Sequence, residues 1–141
     1  MFITLQGWVF GWLRLSGYGW QSNPLGAVLL GLLFFVLRFA FVSVREELLV
    51  RGYQLQNLEE SIGRTPAVVI SSLLFSLLHI RNAGFNLLAL VGLPLAGALF
   101  AYAFHRSGQL WLPIGLHLGW SFFEGPVFGF PVSGLQTFSV L

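Results

Sequence analysis

The chain has 141 residues, of which 56% are hydrophobic and 9% charged, and its mean hydropathy is +0.81. Soluble globular domains carry roughly a quarter charged residues, and a chain this short has too much surface per volume to hide so much apolar area from water. An ordinary soluble enzyme and a disordered chain are therefore excluded, and a membrane protein is indicated. Cys is absent, which removes disulfides, thiolate zinc sites and a cysteine nucleophile. The seven basic residues are all Arg and the five acidic ones all Glu. The arginines are scattered, so the net charge of +2 carries no nucleic-acid footprint.

In chain order, residues 1–20 are apolar but broken by Gln6, Gly7, Gly11, Arg14 and Gly17. With Trp8, Trp12, Tyr18 and Trp20 they suit an interfacial segment or the remnant of an upstream helix, and no cleavable leader pattern is present. Ser22-Asn23-Pro24 is a helix-start signal, and Leu25 to Val44 suits a first spanning helix interrupted only by Arg38 and Ser43. A charged helical stretch follows from Arg45 to Asn57, then a polar turn from Glu59 to Thr65. Pro66 opens a second apolar helix to about Ile80. Arg81-Asn82-Ala83-Gly84 is a break, and a third helix covers about Phe85–Phe104, with Gly92, Ala96, Gly97 and Ala101 offering small faces for close packing. His105 to Gly108 is the next turn. A fourth apolar segment spans about Leu110–Glu124, before a tail punctuated by Gly and Pro that ends without a stop signal, as in a truncated chain.

An ionisable group in hydrocarbon costs a few kcal/mol or more, so each remaining charge is informative. Glu47 and Arg51 are four apart with Glu on the N-terminal side, the favourable ion-pair orientation on a helix. Glu46 then points about 100° away, unpaired by this motif, and suits a general base. Alone, the motif reads first as a juxtamembrane charged rim that ends a helix. Ser72, Ser76 and His79 form one polar stripe, and His117, Ser121 and Glu124 repeat its spacing. Such stripes face a bundle interior, where they serve either a site or interhelical hydrogen bonding. If the segments on either side of the 59–65 turn pair as an antiparallel hairpin, Glu46 and His79 lie at one depth, roughly 20 Å from the turn.

Glu with two His suits three chemistries. A carboxylate aided by a His can deprotonate water while the second His and a hydroxyl stabilise an oxyanion. The same residues can ligate a metal that activates water. They can also form a proton or ion pathway. The His-Glu-x-x-His helix motif of zinc proteases is absent.

Glu46-Glu47-x-x-x-Arg51-Gly52, Phe75-x-x-x-His79, and Trp111 with His117 and Gly119-Trp120 resemble the CPBP family. These are intramembrane CAAX-type proteases, also called the Abi or bacteriocin-processing family. The resemblance covers about residues 45–134 and implies hydrolysis of a peptide bond at a site of glutamate and histidines within the bilayer. It implies that Glu46 is the general base, assisted by His79, that Glu47 and Arg51 hold the site in shape with Phe75 in support, and that His117 completes it. His117 then acts as oxyanion donor or, with Glu46 and His79, as ligand to a divalent metal such as zinc; a metal-free glutamate mechanism is equally compatible. The family commonly has Asn four residues after the last His, where this chain has Ser121.

The expectation is an all-α, polytopic transmembrane bundle of about four spanning helices plus the interfacial N-terminal segment, forming one membrane-embedded domain over residues 1–141 with the family-like core at 45–134. Its partners would be a peptide or protein substrate, prenylated in the CAAX case, and the lipid bilayer of a bacterial-type plasma membrane. A non-catalytic protein of the same fold, acting in bacteriocin immunity or scaffolding, is the alternative. A transporter ranks third, since no pair of broken helices in matching halves is visible. Arg45, Arg51, Arg64 and Arg106 against Arg14 and Arg81 would place the 59–65 and 105–108 turns in the cytoplasm; without Arg45 and Arg51 the count is even and gives no orientation.

Overall fold

The computed structural model describes residues 18–83, 85–132 and 140. Those residues are all-helical. A short helix α1 (Gly19–Ser22) precedes α2 (Leu25–Glu47), which runs without a break into a π-helical segment (Leu48–Leu55) and then α3 (Gln56–Ile62). Helices α4 (Arg64–Leu78), α5 (Leu87–Ser107) and α6 (Trp111–Phe122) follow, and α6 passes into a second π-helical turn (Phe123–Val127). Most of the interfacial segment expected at residues 1–20, and part of the C-terminal tail, lie outside the described residues.

The chain divides into two compact units, residues 40–117 and residues 1–39 with 118–141. In the first unit α4 packs chiefly against α5, and α3 and the π-helical segment pack against α4. Two apolar clusters hold it together: Val50, Phe75 and Phe100, flanked by Leu93 and Ala96, and Leu55, Ala67 and Ala101, flanked by Leu58, Val68 and Phe104. In the second unit Val28 and Phe39 are buried, and the rings of Phe35 and Phe39 stack one turn apart along α2. Arg38 lies exposed on the same helix.

Local chemistry explains most boundaries. Gly63 stops α3 with φ +83°, a conformation that costs a side chain but not glycine, and α4 starts directly after it. The polar turn expected over 59–65 is therefore a single residue, because Glu59 to Ile62 continue the helix. Asn86 caps α5 by accepting the Ala89 amide at 3.0 Å. Gly108 ends α5 with φ +65° and donates to the Phe104 carbonyl, so His105 to Ser107 belong to the last helical turn instead of a loop.

The π-helical segment was not foreseen. Where it returns to α-helix, side-chain amides add to the backbone bonding: Gln56 Nε2 donates to the Gly52 carbonyl at 2.8 Å, and Asn57 Nδ2 donates at 2.7 Å to the Tyr53 carbonyl, which also accepts the Gln56 backbone N–H.

Among the described residues, two helices are long and apolar enough to cross a bilayer, Leu25–Ile62 and Leu87–Ser107. Arg64–Leu78 is apolar but has 15 residues, short of the roughly 20 that a spanning helix needs. The large apolar side chains of α4 and α5 that avoid the two clusters are exposed, as are Leu29, Leu30, Leu33, Phe34, Leu37 and Phe41 on α2, which suits hydrocarbon surroundings and not water.

Candidate active site

Within the 40–117 unit, three helices and the π-helical segment bring the polar residues together. Glu47 is the centre of the arrangement. Its side chain is fully buried, and Oε1 accepts from Arg51 Nη1 at 3.1 Å and from His117 Nδ1 at 2.9 Å. Arg51, only 1% exposed, also donates from Nη2 to the Gly97 carbonyl at 2.8 Å. Its guanidinium lies over the rings of Phe75 and Phe100, 4.7 and 5.3 Å from their centroids. Buried charges must be paired and hydrogen-bonded to be tolerated, and this pair is held by a backbone carbonyl and two aromatic faces besides its own contact.

The two histidines are oriented alike. His79 caps the end of α4 instead of lying within it, and its Nδ1 stands 2.9 Å from the Phe75 carbonyl. A carbonyl only accepts, so the proton sits on Nδ1. The Arg51-paired carboxylate of Glu47 imposes the same choice on His117. Each ring therefore turns Nε2 toward Glu46, whose Oε2 lies 3.7 Å from His79 Nε2 and 3.9 Å from His117 Nε2. Those separations are too long for direct hydrogen bonds, and among the described residues buried Oε2 has no hydrogen-bond partner. Unprotonated Nε2 atoms and a carboxylate oxygen are all acceptors. Only a donor placed among them, such as water or a protonated ring, satisfies the group.

Glu46 departs from the expected unpaired carboxylate at its other oxygen. Oε1 accepts from the adjacent Arg45 at 3.3 Å. Neighbouring residues on a helix do not face each other, but the long Arg45 side chain, mostly exposed, reaches round to it.

Ser72 and Ser76 are buried on α4 as their spacing with His79 implied. Ser72 sits where α4 meets α5: a Cβ added to Gly97 would lie 2.9 Å from the Ser72 Cα. Ser121 is buried one turn beyond His117 on α6 and belongs to the other unit. Glu124 ends that stripe accepting a 2.7 Å hydrogen bond from Trp120.

Gly97 and Phe100 are site residues that sequence reasoning missed. Gly97 stood out only as one of several small residues, and a Phe in an apolar run looks the same whether it faces lipid or a histidine. A metal needs its donors about 2 Å from one point. Among the described residues no group of three or more His, Asp or Glu side chains is disposed to hold an ion, Glu46, His79 and His117 included.

The model of the Type II CAAX prenyl endopeptidase Rce1-like family matches residues 27–123. The chain belongs to this family. The match spans the Glu46-Glu47 motif, Arg51, both site histidines and Ser121, in agreement with the CPBP resemblance. Membership in the Rce1-like family places the chain among membrane-embedded CAAX-type proteases, whose substrates are peptides. No curated protein and no solved structure matches the chain.

Proposed function

We propose that the chain is an intramembrane endopeptidase in which Glu46 and the two histidines activate water against a peptide bond, with prenylated CAAX-type peptides as substrates. The observation that supports it is the convergence of His79 Nε2 and His117 Nε2 on the partnerless Oε2 of Glu46. Water between these acceptors donates a proton to Glu46, and its oxygen attacks the scissile carbonyl carbon. As Glu46 takes one proton, Nε2 of His117 accepts the water's other O–H, its acceptor role fixed by the Nδ1–H bond to Glu47. Glu46 then gives the proton to the leaving nitrogen, the C–N bond breaks, and a carboxylic acid and an amine are released. His79 orients the water. Every step uses side chains and water.

The test is cleavage of a farnesylated CAAX peptide by the purified chain in lipid nanodiscs. Glu46→Gln should lower kcat by about two to four powers of ten, the usual contribution of a general base, and chelator should leave the wild-type rate unchanged. Wild-type turnover in Glu46→Gln would overturn the mechanism. Loss on chelation with recovery on adding zinc would make Glu46, His79 and His117 ligands instead. Ser121, where the resemblance leads one to expect Asn, favours the second reading, a non-catalytic immunity or scaffolding protein. That reading predicts that a Glu46/His79/His117 triple-alanine variant still protects cells.

A further inference from the structure

We propose that Phe100 is a positioning residue of this site, fixing the plane of the His117 imidazole so that Nδ1 stays on Glu47 while Nε2 stays turned to Glu46. The inference rests on the role given above to His117 but concerns a residue outside every motif of the chain.

A single hydrogen bond from Nδ1 places one atom of the ring. It does not set the tilt of the plane, and the ring torsion of histidine is broad. A second constraint is needed to aim Nε2. Phe100 supplies it: its ring lies nearly parallel to that of His117, with an interplanar angle of 17° and centroids 5.2 Å apart. Phe75 meets the same imidazole edge to face, at 83° and 6.0 Å. One aromatic ring therefore sits along the imidazole face and another stands across it, an arrangement that opposes both tilting and flipping.

Phe100 is itself held. It is 4% exposed, packs with Val50 and Phe75, and has Leu93 and Ala96 against it. The Arg51 guanidinium lies over it, and Gly97, whose carbonyl receives Arg51, is one helical turn earlier on α5. Phe100 thus touches both donors that share Glu47, Arg51 and His117. Movement of its ring would disturb the imidazole and the ion pair together.

The experiment uses the full chain in nanodiscs, labelled with 15N-histidine. The three histidines, His79, His105 and His117, are assigned by single substitution. In the wild type His117 is expected to show one tautomer, protonated on Nδ1. Phe100→Leu keeps an apolar side chain but removes the stacked face. It should give averaged Nδ1 and Nε2 signals and lower kcat on the farnesylated peptide about tenfold or more, as misplacement of a catalytic group does, with KM unchanged. Phe100→Tyr keeps the ring and should restore both.

An averaged His117 in the wild type would overturn the proposal, as would a single tautomer with wild-type kcat in Phe100→Leu. Phe100→Met carries the same comparison if the leucine variant does not fold. The spectrum needs no turnover: absence of cleavage by the wild type would count against the protease reading, while the tautomer comparison still decides the role of Phe100.

Discussion

Glu47 and His117, 70 positions apart, are joined by a 2.9 Å hydrogen bond between the carboxylate Oε1 and the ring Nδ1. Through that contact the charged end of α2 reaches α6, and the ion pair of Glu47 with Arg51 becomes part of the support for a site histidine. The two adjacent carboxylates thereby sit in different surroundings. Glu47 is fully buried and shared by two donors, Arg51 and His117, while Glu46 keeps one oxygen facing both Nε2 atoms.

The two glutamates should fail differently. Glu47→Ala leaves Arg51 buried and unpaired, a change that costs about 3–5 kcal/mol when a buried pair loses one member. Glu46→Gln keeps shape and removes only the proton acceptor, so stability should change by less than about 1 kcal/mol. Thermal melting followed by tryptophan fluorescence separates them, with a large drop expected for Glu47→Ala alone. A Glu47→Leu/Arg51→Met double variant should recover much of the lost stability, because it removes both buried charges together.

Gly97→Ala should destabilise the packing of α4 on α5 by about 1–3 kcal/mol, since the new methyl would press on the Ser72 backbone at 2.9 Å. It should also lower kcat by shifting the carbonyl that holds Arg51. Gly92→Ala on the same helix meets nothing within 4 Å and should be neutral or stabilising by up to about 1 kcal/mol. Equal effects of the two substitutions on melting and turnover would refute the close-approach argument.

Glu59 and His105 form a half-buried pair that ties α3 to the last turn of α5. Glu59 lies 13 positions after Glu46 on one continuous helix, which sets it on the order of 20 Å from the site. His105→Ala should cost about 1–3 kcal/mol of stability, as loss of a hydrogen bond to a charged group does, and leave kcat on the farnesylated peptide unchanged. A fall in kcat without a fall in melting temperature would contradict this.

Asn86→Ala removes the side chain that accepts the Ala89 amide at the start of α5. The loss of such a cap is worth about 1 kcal/mol. Asn86→Ser should keep most of it, and melting temperatures of the two variants give the comparison.

Much of this arrangement is legible along the chain because its causes are local. The i, i+4 spacing of Glu47 and Arg51 suffices for their ion pair, and the Ser72-Ser76-His79 stripe is buried as its period implies. The ends of α3 and α5 follow from Gly63 and Gly108. Less local features escaped. The π-helical segment after Glu47 has no marker of its own beyond Gly52, and Arg45 reaches Glu46 only through the length of its side chain. Phe100 and Gly97 could not be distinguished from their apolar neighbours, since helix α5 is apolar almost all round and has no face that betrays the interior.

Composition by itself pointed to a membrane, and the apolar runs with their helix-start signals pointed to helices as the way to satisfy the backbone there. The motifs named both glutamates, Arg51, His79 and His117, because helix periodicity is a property of neighbours in sequence. Which atom of each residue faces which was decided only by contacts between elements far apart in sequence, such as Glu47 with His117 and Arg51 with the Gly97 carbonyl. A hydrogen bond across 70 residues and a stacked ring depend on interhelical distances and rotations, which no local spacing encodes.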